Sequence, residues 1–256
     1  MDISFPETGK KVLNRQAIPS GLNVLVLAPQ ASDFDAIAIT LKLLQQHGNR
    51  LFVRVLGSGW NRVLDESCDP PTPDAKTLMR QNELQTSCRT FGLPEGQLGF
   101  LHLKEDKGGY IRNKPENAEA IKTAIGEINP GMIFMPHWND CTNDCRLCAT
   151  LAWDALESLR LEIPLLHFFT PKTLTMCRQF YTLFGEAEAE WKAGLLQCHQ
   201  SIRQYHLRQY GMDLAEKIIR LNREVGRDFQ NGDYAEAFEL KMMTPPPEER
   251  PINMKF

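Results

Sequence analysis

Apolar positions along the chain alternate between two kinds of run. Leu22 to Pro29 (LNVLVLAP) is nearly continuous and ends in proline, the pattern of a strand buried on both faces of a parallel sheet. Ile37, Leu41 and Leu44 then recur at helical spacing, with Gly48 as the stop. LFVRVLG from Leu51 predicts a second strand, followed by a polar loop containing Pro70, Pro71 and Pro73. Leu84, Cys88 and Phe91 mark one face of the next helix, closed by Gly92, and LGFLHL predicts a third strand. Ile121, Ile125 and Ile128 mark a third helix, ended by Pro130-Gly131 before the strand GMIFMP. The run CATLAWDALESL is again helical. Strand and helix alternate throughout, which predicts βαβ units.

After Leu161 the order changes. IPLLHFF and LTMCRQFYTLF predict strands, followed by amphipathic helical stretches over Glu186 to Tyr210 and Met212 to Phe229. The fold class expected is α/β: a Rossmann-like, mostly parallel sheet flanked by helices, with a C-terminal helix and strand extension. Residues 1–21 read as an N-terminal arm, 22–240 as one α/β domain, and 241–256, ending PPPEERPINMKF, as a proline-rich tail.

Composition narrows the function. The 256 residues carry a formal net charge of -3, which argues against a nucleic-acid partner. No apolar run is long enough to span a bilayer, so no membrane is expected. The start, MDISFPETGKK, lacks the order of a secretion signal, and the seven cysteines are odd in number. Together these predict a cytoplasmic chain whose cysteines are thiols, ligands or core residues.

The densest chemistry lies in PHWNDCTNDCRLC, Pro136 to Cys148, at the carboxyl end of a predicted strand. Cys141, Cys145 and Cys148 have the spacing C-x3-C-x2-C. That spacing also occurs in radical-SAM proteins, whose barrel and early motif loop do not match this order of elements. An iron–sulfur or thiol-redox protein is therefore a third reading that rests on the cluster alone. The plain reading of Cys148 is a small buried hydrophobe.

The order of landmarks resembles the PIG-L/LmbE-like family of zinc-dependent de-N-acetylases. The first strand there leads into A-H-P-D-D-E or P-H-P-D-D-E; here it leads into Ala28-Pro29-Gln30-Ala31-Ser32-Asp33-Phe34-Asp35. An R-x-x-E pair is matched by Arg80 and Glu83, and a D-x-H-P-D-H loop by Asp140-Cys141-Thr142-Asn143-Asp144-Cys145. A lysine-led helix with an H-x-S-Q-like stretch is matched by Lys192 and His199-Gln200-Ser201, and the closing G-x-x-Y-A-E-A-F, with one residue fewer between Gly and Tyr, by Gly232 to Phe238.

The resemblance implies a metal site of two histidines and one aspartate, an adjacent carboxylate base, and a loop histidine at the oxyanion or leaving amine. On this chain the metal positions become Gln30, Asp33 and Cys145, and the catalytic positions Ser32, Asp144 and Thr142. Gln30 offers only a neutral amide oxygen, and the Ser32 hydroxyl is no base near neutral pH. Thr142 cannot carry positive charge, while Cys145 is a good zinc ligand as thiolate. The run to Thr40 is a residue shorter than usual, so Asp35 can stand in for a lost carboxylate. Asp35, His137 and Cys141 are the alternative ligands. Losing a general base alone costs about a hundredfold to ten-thousandfold in rate.

The expectation is an impaired family member that binds a small sugar-like or amine-bearing ligand, with zinc or with no cofactor. The alternative is an active amide hydrolase with a rearranged Asp/Cys metal site. Arg80, Trp60, Arg62 and Trp138 are the candidate substrate contacts, and Arg80 with Glu83 also fits an exposed ion pair. As in many relatives of that family, a homo-oligomer is expected.

Overall fold

A computed structural model of the chain describes residues 10–13, 18–230 and 233–242. Eight strands form one sheet: β1 (Lys11–Val12), β2 (Asn23–Ala28), β3 (Arg50–Val55), β4 (Leu98–Phe100), β5 (Met132–Pro136), β6 (Pro164–Phe168), β7 (Phe180–Phe184) and β8 (Tyr234–Met242). Their spatial order is β1-β7-β8-β6-β5-β2-β3-β4. β8 runs antiparallel to both neighbours, and all other pairings are parallel. The expected α/β class, mostly parallel with a C-terminal extension, is what the chain adopts.

The central strand shows why. Every β2 residue after Asn23 is buried. Val24 and Val26 face one core with Leu41, Leu84, Phe91 and Phe134, while Leu25 and Leu27 face another with Ile121, Ile125 and Leu156. Alternate side chains thus enter helix layers on opposite faces, so the strand carries no polar side. The layers come from α1 (Ala38–Gln46), α2 (Pro73–Phe91) and α5 (Glu186–Gln197) on the first face, and α3 (Pro115–Ile128) and α4 (Asn143–Leu159) on the second.

Several boundaries depart from the sequence pattern. Pro73 is the first residue of α2, capped by Thr72, whose hydroxyl accepts the Ala75 N–H at 3.3 Å. Proline is tolerated there because that N–H has no helical partner. α2 ends at Gly92, whose φ of +85° is a left-handed conformation that glycine adopts without strain. Of LGFLHL, only Leu98–Phe100 joins the ladder. The helical stretch from Glu186 to Tyr210 breaks into α5 and α6 (Gln200–Tyr210), because His199 leaves helical geometry to reach inward. α7 (Leu214–Gly226) completes the helices.

Lys11 and Val12, within the expected arm, pair with β7, and β8 extends to Met242. Residues 243–256 of the proline-rich tail lie outside the described residues. Among the described residues, no helix is long and apolar enough to cross a membrane.

The chain leaves β2 for β3 on one side, while β5 pairs on the other side of β2. This is the topological switch point, and the loops after β2 and β5 open beside one another at the carboxyl edge.

Candidate functional site

The loop after β2 makes two short 3-10 turns, Ala31–Asp33 and Asp35–Ile37. Its conformation is held from beneath. Glu236 of β8 accepts the Ile39 N–H at 3.1 Å and the Thr40 N–H at 2.8 Å, capping α1. Lys192 of α5 donates to Glu236 (2.7 Å), Asn222 (2.7 Å) and the Ala36 carbonyl (2.6 Å). The lysine-led helix and the YAEAF strand are therefore structural supports of this loop.

Within the loop, Asp33 is buried and its Oδ2 accepts the Gln30 N–H at 2.8 Å. Burial raises its pKa, against the pull of Lys172, the Gln30 N–H and Arg62. Gln30 and Ser32 are also buried, and both line a small cavity with Asp33. Asp35 turns the other way. Its carboxylate accepts from Ser87 (2.7 Å) and pairs with the His199 ring, fully buried. It is thus not offered to the cavity as an alternative ligand.

The loop after β5 is tied to the loop after β6. Asp140 accepts the Thr142 N–H (2.8 Å) and hydroxyl (2.7 Å), and the Cys141 N–H donates to the Lys172 carbonyl (2.9 Å). The Thr142 hydroxyl is already occupied at the start of α4. Asp144 accepts the Ile111 N–H at 3.0 Å, and burial raises its pKa. Cys145 is buried, and desolvation first, then the Asp33 charge, pushes its thiol pKa far up. Cys148 is fully buried in the core beside Leu151 and Ala152, and Cys141 is exposed.

His137 and Trp138 belong to a different neighbourhood. His137 uses both ring nitrogens, on Glu239 (3.1 Å) and the Asn139 N–H (3.0 Å). Trp138 packs against the His137 and His167 rings, with Lys241 over its face. Neither lines the cavity beside Asp33.

Arg80 and Glu83, which also fitted an exposed pair, are drawn inside. Arg80 is 2% exposed and donates to Glu83 at 2.6 Å. Glu83 in turn accepts the Ser201 N–H and hydroxyl, each at 2.7 Å. The R-x-x-E and H-x-S landmarks thus clamp α2 to α6. Trp60 and Arg62 form a half-buried turn after β3 that packs against both helices.

The titratable residues of the cavity wall other than Asp33 were not singled out from the sequence: Lys172, His206 of α6 and Lys217 of α7. His206 has one legible signal, its i+4 spacing from the buried Ile202 on the apolar face of α6. The lysines have none. A larger cleft of about 830 Å³ runs between α2 and α6 past Glu83 and Ser201, and contains none of the residues at the family's metal positions.

A catalytic zinc centre needs three deprotonated or neutral-imidazole ligands with an open position. Among the described residues, no three His, Cys, Asp or Glu side chains are grouped to hold a metal, and this includes the three clustered cysteines. Asp33 and Cys145 have no third such ligand grouped with them among the described residues, and Gln30 and Ser32 beside Asp33 offer only a neutral amide and a hydroxyl. This donor set does not fit zinc.

No family model and no curated protein matches the sequence. Solved structures do match. An N,N'-diacetylchitobiose deacetylase from Pyrococcus horikoshii, complexed with its inhibitor MPG, superposes with a TM-score of 0.68 at 16% identity, covering 86% of this chain and 83% of that one. The fold is that of the PIG-L/LmbE-type de-N-acetylases. A teicoplanin deacetylase, Orf2, in a zinc-inhibited form has a TM-score of 0.60 at 12% identity, covering 86% of this chain and 98% of its own. A 4-carboxy-2-hydroxymuconate hydratase, GalB, from Pseudomonas putida KT2440 has a TM-score of 0.61 at 16% identity, covering 89% and 98%. A hydratase on the same PIG-L/LmbE-type fold means that the fold does not fix the reaction.

Proposed function

We propose that this chain is a ligand-binding relative of the de-N-acetylases that lacks their metal-dependent hydrolysis. A small sugar-like or amine-bearing ligand is held at the carboxyl edge of β2 and β5, with Arg62 and Trp60 near the opening. The single observation behind this is the donor set: Gln30 and Ser32 stand where the resemblance implies imidazole and carboxylate, and among the described residues no three His, Cys, Asp or Glu side chains are grouped to hold a metal. Water activation needs a charged or metal-bound partner, and none of these groups supplies one. The deacetylase neighbours, one of them solved with its inhibitor, support a small-molecule site. The free cysteines support a reducing, cytoplasmic setting, and assembly into a homo-oligomer belongs to the same reading.

The test is acetate release from N-acetylglucosamine conjugates, with zinc supplied and then chelated. No turnover above buffer is expected. Turnover that a chelator abolishes would overturn the proposal.

One observation favours a second reading, an active hydrolase with a rearranged site. The Asp33 charge raises the pKa of the Cys145 thiol, so the two groups are near enough to influence one another. A metal held there would be lost in Cys145→Ala, and metal content unaffected by that substitution would remove this reading.

A further inference from the structure

The chain has five tyrosines. Tyr181 and Tyr234 are buried, and their hydroxyls donate to the Arg178 carbonyl (3.0 Å) and to Glu186 (2.8 Å). The hydroxyls of the other three, Tyr110, Tyr205 and Tyr210, have no hydrogen-bond partner among the described residues. Tyr205 is half-buried, while Tyr110 and Tyr210 are 48% and 59% exposed. Lys217 covers one face of Tyr210, 4.7 Å from the ring centroid. Large rings left in water are informative where they gather, and these three gather with Trp60.

Three segments bring them together. The turns after β3 and β4 are tied to one another: the Asn61 amide donates to the Gly108 carbonyl (2.9 Å) and the Gly109 carbonyl (3.3 Å). The Trp60 indole edge lies against Gly109, where an added Cβ would meet its Nε1 at 2.8 Å, and the φ of +75° there also favours glycine. α6 packs on the Trp60 turn and carries Tyr205 and Tyr210 on either side of His206, with ring centroids 6.2 and 5.1 Å from it. Burial raises the Tyr205 pKa, Tyr210 and Tyr110 raise it further, and Arg62 lowers it, so these groups are near enough to influence one another. His206 also lines the cavity with Ser32 and Asp33, so the rings stand beside the candidate site.

The polar groups of the two turns select the occupant. Glu105 accepts the Ser58 N–H and hydroxyl, each at 2.6 Å. Asp106 accepts the Gly108 N–H (2.8 Å) and the Tyr110 N–H (3.1 Å). A sugar ring brings hydroxyls that need partners when they leave water, and these carboxylates and the Asn61 amide are already engaged. An aryl ring asks for no such partner and gains from stacking on other rings and on the flat guanidinium of Arg62. The neighbouring cavity holds about 30 Å³, far below what a six-membered ring fills, so a ring lies on the rim and not inside it.

We propose that Trp60, Tyr110, Tyr205 and Tyr210 form a stacking platform for an aryl group: the ligand's aromatic ring rests on these side chains while its polar end reaches the loop of Ser32 and Asp33. The inference rests on the ligand-binding reading above and names a second group that the ligand carries.

The test is a 19F NMR titration of protein labelled with 3-fluorotyrosine, assigned by single tyrosine substitutions. The probes are the phenyl, cyclohexyl and methyl N-acetyl-β-D-glucosaminides and N,N'-diacetylchitobiose. The phenyl probe is expected to shift the Tyr110, Tyr205 and Tyr210 resonances saturably and to leave those of Tyr181 and Tyr234 in place. It is expected to bind about tenfold tighter than the methyl probe, the scale of one or two ring-stacking contacts. Tyr110→Ser and Tyr210→Ser are each expected to weaken the phenyl probe about threefold to tenfold and to leave the methyl probe unchanged. If either fails to fold, the leucine variant at the same position carries the comparison. Equal binding of the cyclohexyl probe, tighter binding of the disaccharide, absence of any shift, or undiminished affinity in both variants overturns the inference. Broadening of the three resonances with protein concentration alone also overturns it, because a second copy of the chain would then cover the rings. Equal binding of the methyl and phenyl probes overturns it while leaving the proposed function standing. Zinc-dependent acetate release removes the proposed function itself.

Discussion

Lys192 and Glu236 meet at 2.7 Å with side chains 0% and 1% exposed. Burial lowers the lysine pKa and the neighbouring carboxylate raises it. Because Glu236 also caps α1 through the Ile39 and Thr40 N–H groups, the pair ties β8 to the loop that carries Asp33. Lys192→Met leaves a buried carboxylate without its cation. It is expected to cost about 3–5 kcal/mol in urea unfolding, and a loss under about 1 kcal/mol would contradict this role.

Glu83 and Ser201 join α2 to α6 through two hydrogen bonds of 2.7 Å. A double-mutant cycle with Glu83→Ala and Ser201→Ala is expected to give a coupling of about 1 kcal/mol or more. Strict additivity would mean that the clamp does not form in solution.

The thiols should divide by burial. Cys141 and Cys177 are exposed, whereas Cys88, Cys145 and Cys148 are buried with raised pKa values. Iodoacetamide at pH 8 is expected to modify the first two quickly and the other three only on unfolding, read by peptide mass spectrometry. Fast labelling of Cys145 in the native protein would show that its environment is open or its thiolate stabilised.

His167 is fully buried, with Nδ1 on the Pro136 carbonyl at 2.9 Å and Nε2 unpartnered. Burial takes its pKa from 6.5 to about 4, with His137 and Lys241 lowering it and Glu239 opposing. The unfolded chain therefore binds this proton at a higher pH than the folded one, and acid favours unfolding. His167 contributes stability above its unfolded pKa of 6.5 and loses that contribution as pH falls toward about 4. The stability of the wild type relative to His167→Met is expected to decline over that window. A difference independent of pH would contradict the shift.

Much of the fold was legible because β2, β5 and β6 are buried on both faces and so read as unbroken apolar runs. The landmark order was legible too, and the structure gives several landmarks mechanical roles. What the sequence could not express was pairing across distance. The i,i+3 spacing of Arg80 and Glu83 is the same on a surface or in a core, and only the approach of Ser201, 118 residues from Glu83, buries it. Asp35 sits beside the metal-loop positions in sequence, yet its side chain belongs with His199, 164 residues away. Lys172 and Lys217 come from a loop and a helix that meet only in the folded chain, so the cavity they line left no local pattern to read.

The central claim is that the metal centre of this fold has been dismantled here. It is tested most directly by elemental analysis of protein purified with zinc supplied and then dialysed against metal-free buffer. Far less than one ion per chain is the expected result. One firmly held ion per chain, lost in Cys145→Ala, would contradict it.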